Sequence, residues 1–348
     1  MKDLKMTTLQ LAGKKLIRRL VFPFGLVLSL TLFLLSACLE EPKIEPIQEV
    51  PLDVVYTFNY DAQLLNASPE NELIQFGFEV FQNTSKYIGP ENTENTNVYA
   101  GNNLSCNNCH LASGTKPFAA PLIGISKRFP QFRGRENKIG TLEERVNGCM
   151  ERSMNGKALP VSSKAMKGLL AYMEWLSRYS PADGKIKGQG FVPIAIPDRA
   201  IDYDKGQLIF NSKCVVCHGS TGKGLKALEG TGYEYPPLWG NDSYNNGAGM
   251  TRVITAARFI KGNMPFGTTY KNPVLTDEEA YDVAGFINQQ QRPIKKNREK
   301  DFPDLRKKPV STPYPPYADT FSIRQHQIGP FLPIMEYYKS EYNIVKSK

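Results

Sequence analysis

The chain has 348 residues, 41% of them hydrophobic and 22% charged, a soluble globular composition with length enough for two cores. Its formal net charge is +9. The one basic run with aromatics nearby, residues 292–308, falls in a Pro-rich tail, which argues against nucleic acid as a partner.

Lys14, Lys15, Arg18 and Arg19 precede an apolar run over residues 20–35, followed by Ser36-Ala37-Cys38. That order reads as an export signal over residues 1–37. The run is short for a bilayer span, and Ser36-Ala37-Cys38 resembles the lipobox at which bacterial signal peptidases cleave before a cysteine that becomes lipid-modified. Cys38 is therefore expected to anchor the mature chain to a bacterial membrane on its periplasmic side. An uncleaved membrane anchor is the competing reading, and it too puts the bulk outside the cytoplasm. Residues 38–60 begin rich in Glu and Pro, without periodicity, and form a tether.

Two similar blocks follow. An amphipathic segment over 72–81 carries Gly77 and Phe81, then come Cys106-Asn107-Asn108-Cys109-His110 and Pro121-Leu122-Ile123-Gly124. A helix over 163–178 closes the block, with Met166, Leu169, Leu170, Met173 and Leu176 on one face. Residues 181–201, dotted with Pro and Gly, read as a linker. The second block repeats the order: Gly206 and Phe210 within 204–211, Cys214-Val215-Val216-Cys217-His218, and Pro237-Leu238-Trp239-Gly240. Its closing helix starts at a capping box of Thr276 and Glu279 and carries Val283, Phe286 and Ile287. Tyr172 and Phe286 hold matching places. Residues 294–348, rich in Pro and Tyr, are expected to wrap the domains as extended chain, because the aromatics would be costly in water.

Each Cys-x-x-Cys-His is the attachment pattern for c-type haem: two thiols add to the vinyl groups and the adjacent imidazole binds iron. The predicted cofactors are thus two covalently bound haem c groups, whose propionates bring the net charge nearer neutral. The order of elements resembles class I cytochromes c. The fold class is mainly α, two tandem class I cytochrome c-like domains (61–180 and 202–293) with a long extended C-terminal tail.

There are six cysteines and three histidines. After the lipid and four haem thioethers, Cys149 is the thiol left over. It is read either as a buried small apolar residue or as an iron ligand. Bis-histidine ligation at both irons is impossible, because His326 is the sole histidine outside the haem motifs. In the second block Met264, directly before Pro265, is the candidate sixth ligand, against a core-filling role; Lys261 and His326 are weaker candidates. In the first block Cys149, Met150 and Met154 compete. A methionine there would make a carrier, whereas a thiolate stabilises ferric iron and marks a centre for chemistry.

Residues 145–160, Arg-x-x-x-Cys-x-x-Arg-Ser-Met-Asn-Gly-Lys-x-Leu-Pro, resemble the signature of the dihaem thiosulfate dehydrogenases (tetrathionate synthases). Tyr244, Gly247-Ala248-Gly249-Met250 and Asn263-Met264-Pro265 fit that family's second domain, and the likeness spans roughly residues 73–293. The resemblance implies that Cys149 is the distal ligand of the catalytic haem, that Arg135 and Arg145 bind substrate, and that Ser153 is a neighbouring hydroxyl. It implies thiosulfate and tetrathionate as substrate and product, with electrons passing from haem 1 to haem 2 and on to a cytochrome or other acceptor. Some members place a Lys before the Met and swap ligands on reduction; this chain has Asn263 there, which favours Met264 alone. Joining two dianions requires positive charge, and Arg128, Arg133, Arg135, Arg145 and Arg152 lie around Cys149 in the sequence, some of them for propionates or solvent. A dihaem electron carrier and a partner-dependent sulfur-oxidation cytochrome are the alternatives.

Overall fold

A computed structural model describes residues 69–94, 97–228 and 232–348. The leader, Cys38, the tether and the start of the first domain lie outside the described residues. Among the described residues no helix is long and apolar enough to cross a membrane.

In the first half, α1 (Pro69–Gln82), α2 (Leu142–Met150) and α3 (Lys164–Ser177) enclose the first haem motif. On α1, Ile74, Phe78 and Phe81 recur at i, i+4 and i+7, and α3 answers with Met166, Leu169, Met173 and Leu176. Ile74, Phe81 and all four α3 residues are buried. The helices cross at two glycines: a Cβ on Gly77 would lie 1.9 Å from the Gly168 carbonyl oxygen. Tyr172 packs 5.7 Å from the Phe81 ring centroid and donates its hydroxyl to the Ser113 carbonyl at 2.7 Å. Ser163 caps α3, and Thr141 with Glu144 forms a capping box on α2, satisfying N–H groups that no turn precedes. Between α1 and α2 runs a short hairpin, β1 (Gln131–Arg133) with β2 (Lys138–Gly140), Phe132 opposite Ile139.

The second half repeats the plan with α4 (Tyr203–Lys213), α5 (Val253–Asn263) and α6 (Asp277–Asn288). Here a Cβ on Gly206 would lie 2.3 Å from the Asp282 carbonyl oxygen. Phe286 sits 5.4 Å from Phe210, as Tyr172 does by Phe81. The Thr276–Glu279 capping box forms as the sequence predicts. Residues 181–201 are bound to the first half, with Phe118 N donating to Gly188 O at 2.7 Å and Ala120 N to Gly190 O at 2.8 Å.

The expectation of an extended tail over 294–348 is corrected in part. Residues 294–322 run as irregular chain with short turns at Arg298–Lys300 and Leu305–Lys307, whereas α7 (Ile323–Ile328) and α8 (Leu332–Tyr342) are helices, and Val310, Phe331, Ile334 and Tyr338 enter the second core. The prolines misled because a proline in the first turn of a helix lacks only an N–H that has no partner anyway. Pro333 occupies that place in α8, and Ser322 caps α7 by accepting from Gln325 N.

Candidate functional site

The first pocket is lined by Phe81, Leu104, Leu122, Val146, Leu169 and Met173 on its apolar walls, and Cys106, Cys109 and His110 stand on one side. His110 Nδ1 lies 2.6 Å from the Ala120 carbonyl. Donation of that N–H fixes the ring and leaves Nε2 for a metal.

Cys149 comes from the last turn of α2 and lines the same pocket. Burial pushes its thiol up, but the charge of Arg145, a hydrogen bond with His110 and a hydrogen bond from Arg145 outweigh burial and bring it to about 6. Arg145 Nη1 is 2.8 Å from the sulfur, one helical turn earlier at i−4. The thiolate in turn raises the Arg145 guanidinium. Cys149 thus shares the pocket with His110, its sulfur against a guanidinium that lowers its pKa. Met150 and Met154 also line the pocket and are buried, and Ser153 reaches its wall.

The five arginines separate. Among them only Arg145 lines the pocket. Arg133 pairs with Glu136 at 3.0 Å, and Arg128 packs against Gly184. Arg135 and Arg152 share the carboxylate of Asp301, each at 2.7 Å. Arg135, expected beside the substrate, is thus engaged behind the pocket.

At the second motif, His218 is buried and its Nδ1 lies 2.8 Å from the Pro236 carbonyl, the same orienting bond as at His110. Burial lowers the pKa of His218 and favours the neutral ring that binds a metal. Met264 follows α5 and packs against the second core with Cys214, Leu238 and Trp239. Its rivals are occupied. Lys261 pairs with Asp277 at 2.9 Å and donates to Leu275 O at 2.7 Å. His326 is buried with Nδ1 2.7 Å from Val310 O, Nε2 2.9 Å from Asp319, and its ring stacked 3.5 Å from Tyr317. Asn263 donates to Phe118 O and Phe259 O, both at 3.0 Å. Replacing His326 with Leu should remove one of the hydrogen-bond partners of buried Asp319, leaving it the Phe321 N–H at 3.1 Å, and lower stability by about 1–3 kcal/mol. Both haem spectra should stay unchanged, which a melting curve and an absorption spectrum would check.

The second half also completes the first pocket. Tyr244 and Met250 line it. Asn102, fully buried, donates to Ser153 O at 2.9 Å and Ser243 O at 3.1 Å, and Asn245 N donates to Arg152 O at 3.1 Å. Sequence reading missed Asn102, Asn245, Asp301 and Tyr314. Asp301 had a faint signal, as an acid set among Arg298, Lys300, Arg306 and Lys307.

Paired cysteines, an imidazole with its far nitrogen pinned, and an apolar wall fit a c-type haem at both motifs, so the fold and sites define a dihaem c-type cytochrome. A model of the SoxA/TsdA cytochrome c domain matches residues 96–181, and a cytochrome c model matches 203–291. The chain is 41% identical to the thiosulfate dehydrogenase of Psychrobacter arcticus over 68% of this chain and 69% of that one. It is likewise 41% identical to that of Stutzerimonas stutzeri, over 66% and 70%. The solved thiosulfate dehydrogenase TsdBA from Marichromatium purpuratum superposes with a TM-score of 0.61 at 32% identity, covering 68% of this chain and 50% of that one. This chain thus spans about half the length of that solved chain. It belongs to the thiosulfate dehydrogenase family, and carries two covalently bound c-type haems.

Proposed function

We infer that the protein joins two thiosulfate ions into tetrathionate at Cys149 and passes the two electrons to an external acceptor, a cytochrome being the natural partner. The observation that carries this is the Cys149 sulfur 2.8 Å from Arg145 Nη1, in the pocket that also holds His110. Haems held by the two motifs would supply electron acceptance, with Cys149 the residue that would lower the potential of the first and Met264 the one that would raise that of the second.

The remaining chemistry belongs to the chain. The Cys149 sulfur bonds to the sulfane sulfur of one thiosulfate as two electrons leave, giving a cysteine S-thiosulfonate. The sulfane sulfur of the second thiosulfate then attacks that sulfane sulfur, forms tetrathionate and releases the Cys149 thiolate. No proton is gained or lost in either step. Arg145 offsets the charge of the incoming dianion, which would otherwise be repelled by the thiolate at close range. Ser153 at the pocket wall offers a hydroxyl to a sulfonate oxygen. Arg135, Arg145 and Ser153 remain the proposed substrate residues, Arg135 acting from behind the wall through its charge. Purified holoprotein with thiosulfate and ferricyanide should form tetrathionate, and with tetrathionate and reduced viologen should run the reverse. Activity in neither assay would reduce the protein to a dihaem carrier. The apolar run 20–35 and Ser36-Ala37-Cys38 support export and lipid attachment at Cys38, which would set this site on the periplasmic side.

A further inference from the structure

Residues 294–348 lie beyond both matched cytochrome models, yet one dipeptide of this segment reaches the support of the first pocket. Asp301 is 5% exposed. Its Oδ1 accepts from Arg152 Nη2 at 2.7 Å, and its Oδ2 from Arg135 Nη1 at 2.7 Å and from the Tyr314 hydroxyl at 2.8 Å. Phe302 N donates to the Arg135 carbonyl at 2.7 Å. The Phe302 ring is flanked by the guanidinium groups of Arg135 at 5.1 Å and Arg252 at 5.7 Å. Phe302 holds φ at +63°, a conformation that a non-glycine residue keeps only when its surroundings enforce it.

We propose that Asp301 is a positioning residue of the active site, through which the C-terminal segment fixes the turn bearing Cys149 and Ser153. This rests on Cys149 being the reacting group. Arg152 N donates to the Cys149 carbonyl at 3.2 Å, and Arg152 Nη1 donates to Gly148 O at 3.3 Å. Arg135 Nη1 also donates to Gly247 O at 2.9 Å, in the loop that supplies Tyr244 and Met250 to the pocket. One carboxylate therefore ties the Cys149 turn to the opposite wall. Burial pushes Asp301 up, but Arg135, Arg152 and the Tyr314 hydroxyl hold its carboxyl below the usual range. Loss of that charge would leave buried Arg135 without its anion and Arg152 with only Glu136, at 3.8 Å.

The test uses the full-length holoprotein with Asp301→Asn and Asp301→Glu. Asp301→Asn keeps the shape and removes the charge. It should raise the KM for thiosulfate about tenfold or more, as loss of an outer-shell partner does. It should also shift the ferric low-spin resonance of the Cys149-ligated haem, leave the resonance of the Met264 haem in place, and be largely rescued by Asp301→Glu. A wild-type KM with an unshifted first resonance would overturn the proposal, and so would a change in both resonances together, which marks general loosening. Should Asp301→Asn fail to mature, Tyr314→Phe removes one of the three bonds and should shift the first resonance alone; no shift overturns the proposal. Cys149→Gly with full turnover would sink the catalytic reading instead, and the resonance shift would still decide the positioning role.

Discussion

Exchanging Cys149 for glycine should lower thiosulfate oxidation at least about a thousandfold while both haems stay attached. Haem attachment uses Cys106, Cys109, Cys214 and Cys217, so the pocket loses its one remaining thiol and nothing of its covalent anchorage. Arg145 loses the anion that raises its pKa. Met150 and Met154 line the same pocket, and a thioether on the iron would raise the potential and discard the nucleophile together. The ferric protein should then lose its thiolate signature and keep two haems per chain by pyridine haemochrome. Turnover within tenfold of the parent would show that the sulfur chemistry does not need this side chain.

The largest effect on stability is expected at a residue that touches no haem. Gly77→Ala should cost about 3 kcal/mol or more. The new methyl would lie 1.9 Å from the Gly168 carbonyl oxygen, and both partners are backbone in crossing helices, so neither can swing aside. A matched control is Gly249→Ala, where a Cβ meets nothing within 4 Å; it should melt close to the parent. Thermal unfolding of the two variants checks the pair. Equal melting temperatures would mean that α1 and α3 do not cross where described.

These two residues also mark what the sequence reveals. Local patterns were readable: the glycine and phenylalanine before each haem motif, the cap at Thr276, and the apolar stripe of α3 each follow from short-range periodicity and hydrogen bonding. The attachment cysteines and histidines were readable because vinyl spacing fixes them. Contacts of long sequence separation were not. Asp301 lies 149 residues from Arg152 and Ser243 lies 141 from Asn102, and no local pattern announces such meetings. The tail was misread for a different reason, since its prolines punctuate helices that the tertiary core stabilises. Arg135 stands one hairpin from Cys149 in sequence, but its side chain turns to Asp301, a choice made by the missed carboxylate.

The loop over residues 242–250 gives the repeated architecture a consequence. The two halves look like copies, yet they are not interchangeable parts. Tyr244 and Met250 belong to the second half by chain order and to the first pocket by position. A different cytochrome grafted in place of residues 202–293 would keep a second haem motif and leave the first pocket without part of its wall. Substitutions in the second half are therefore constrained by the pocket of the first.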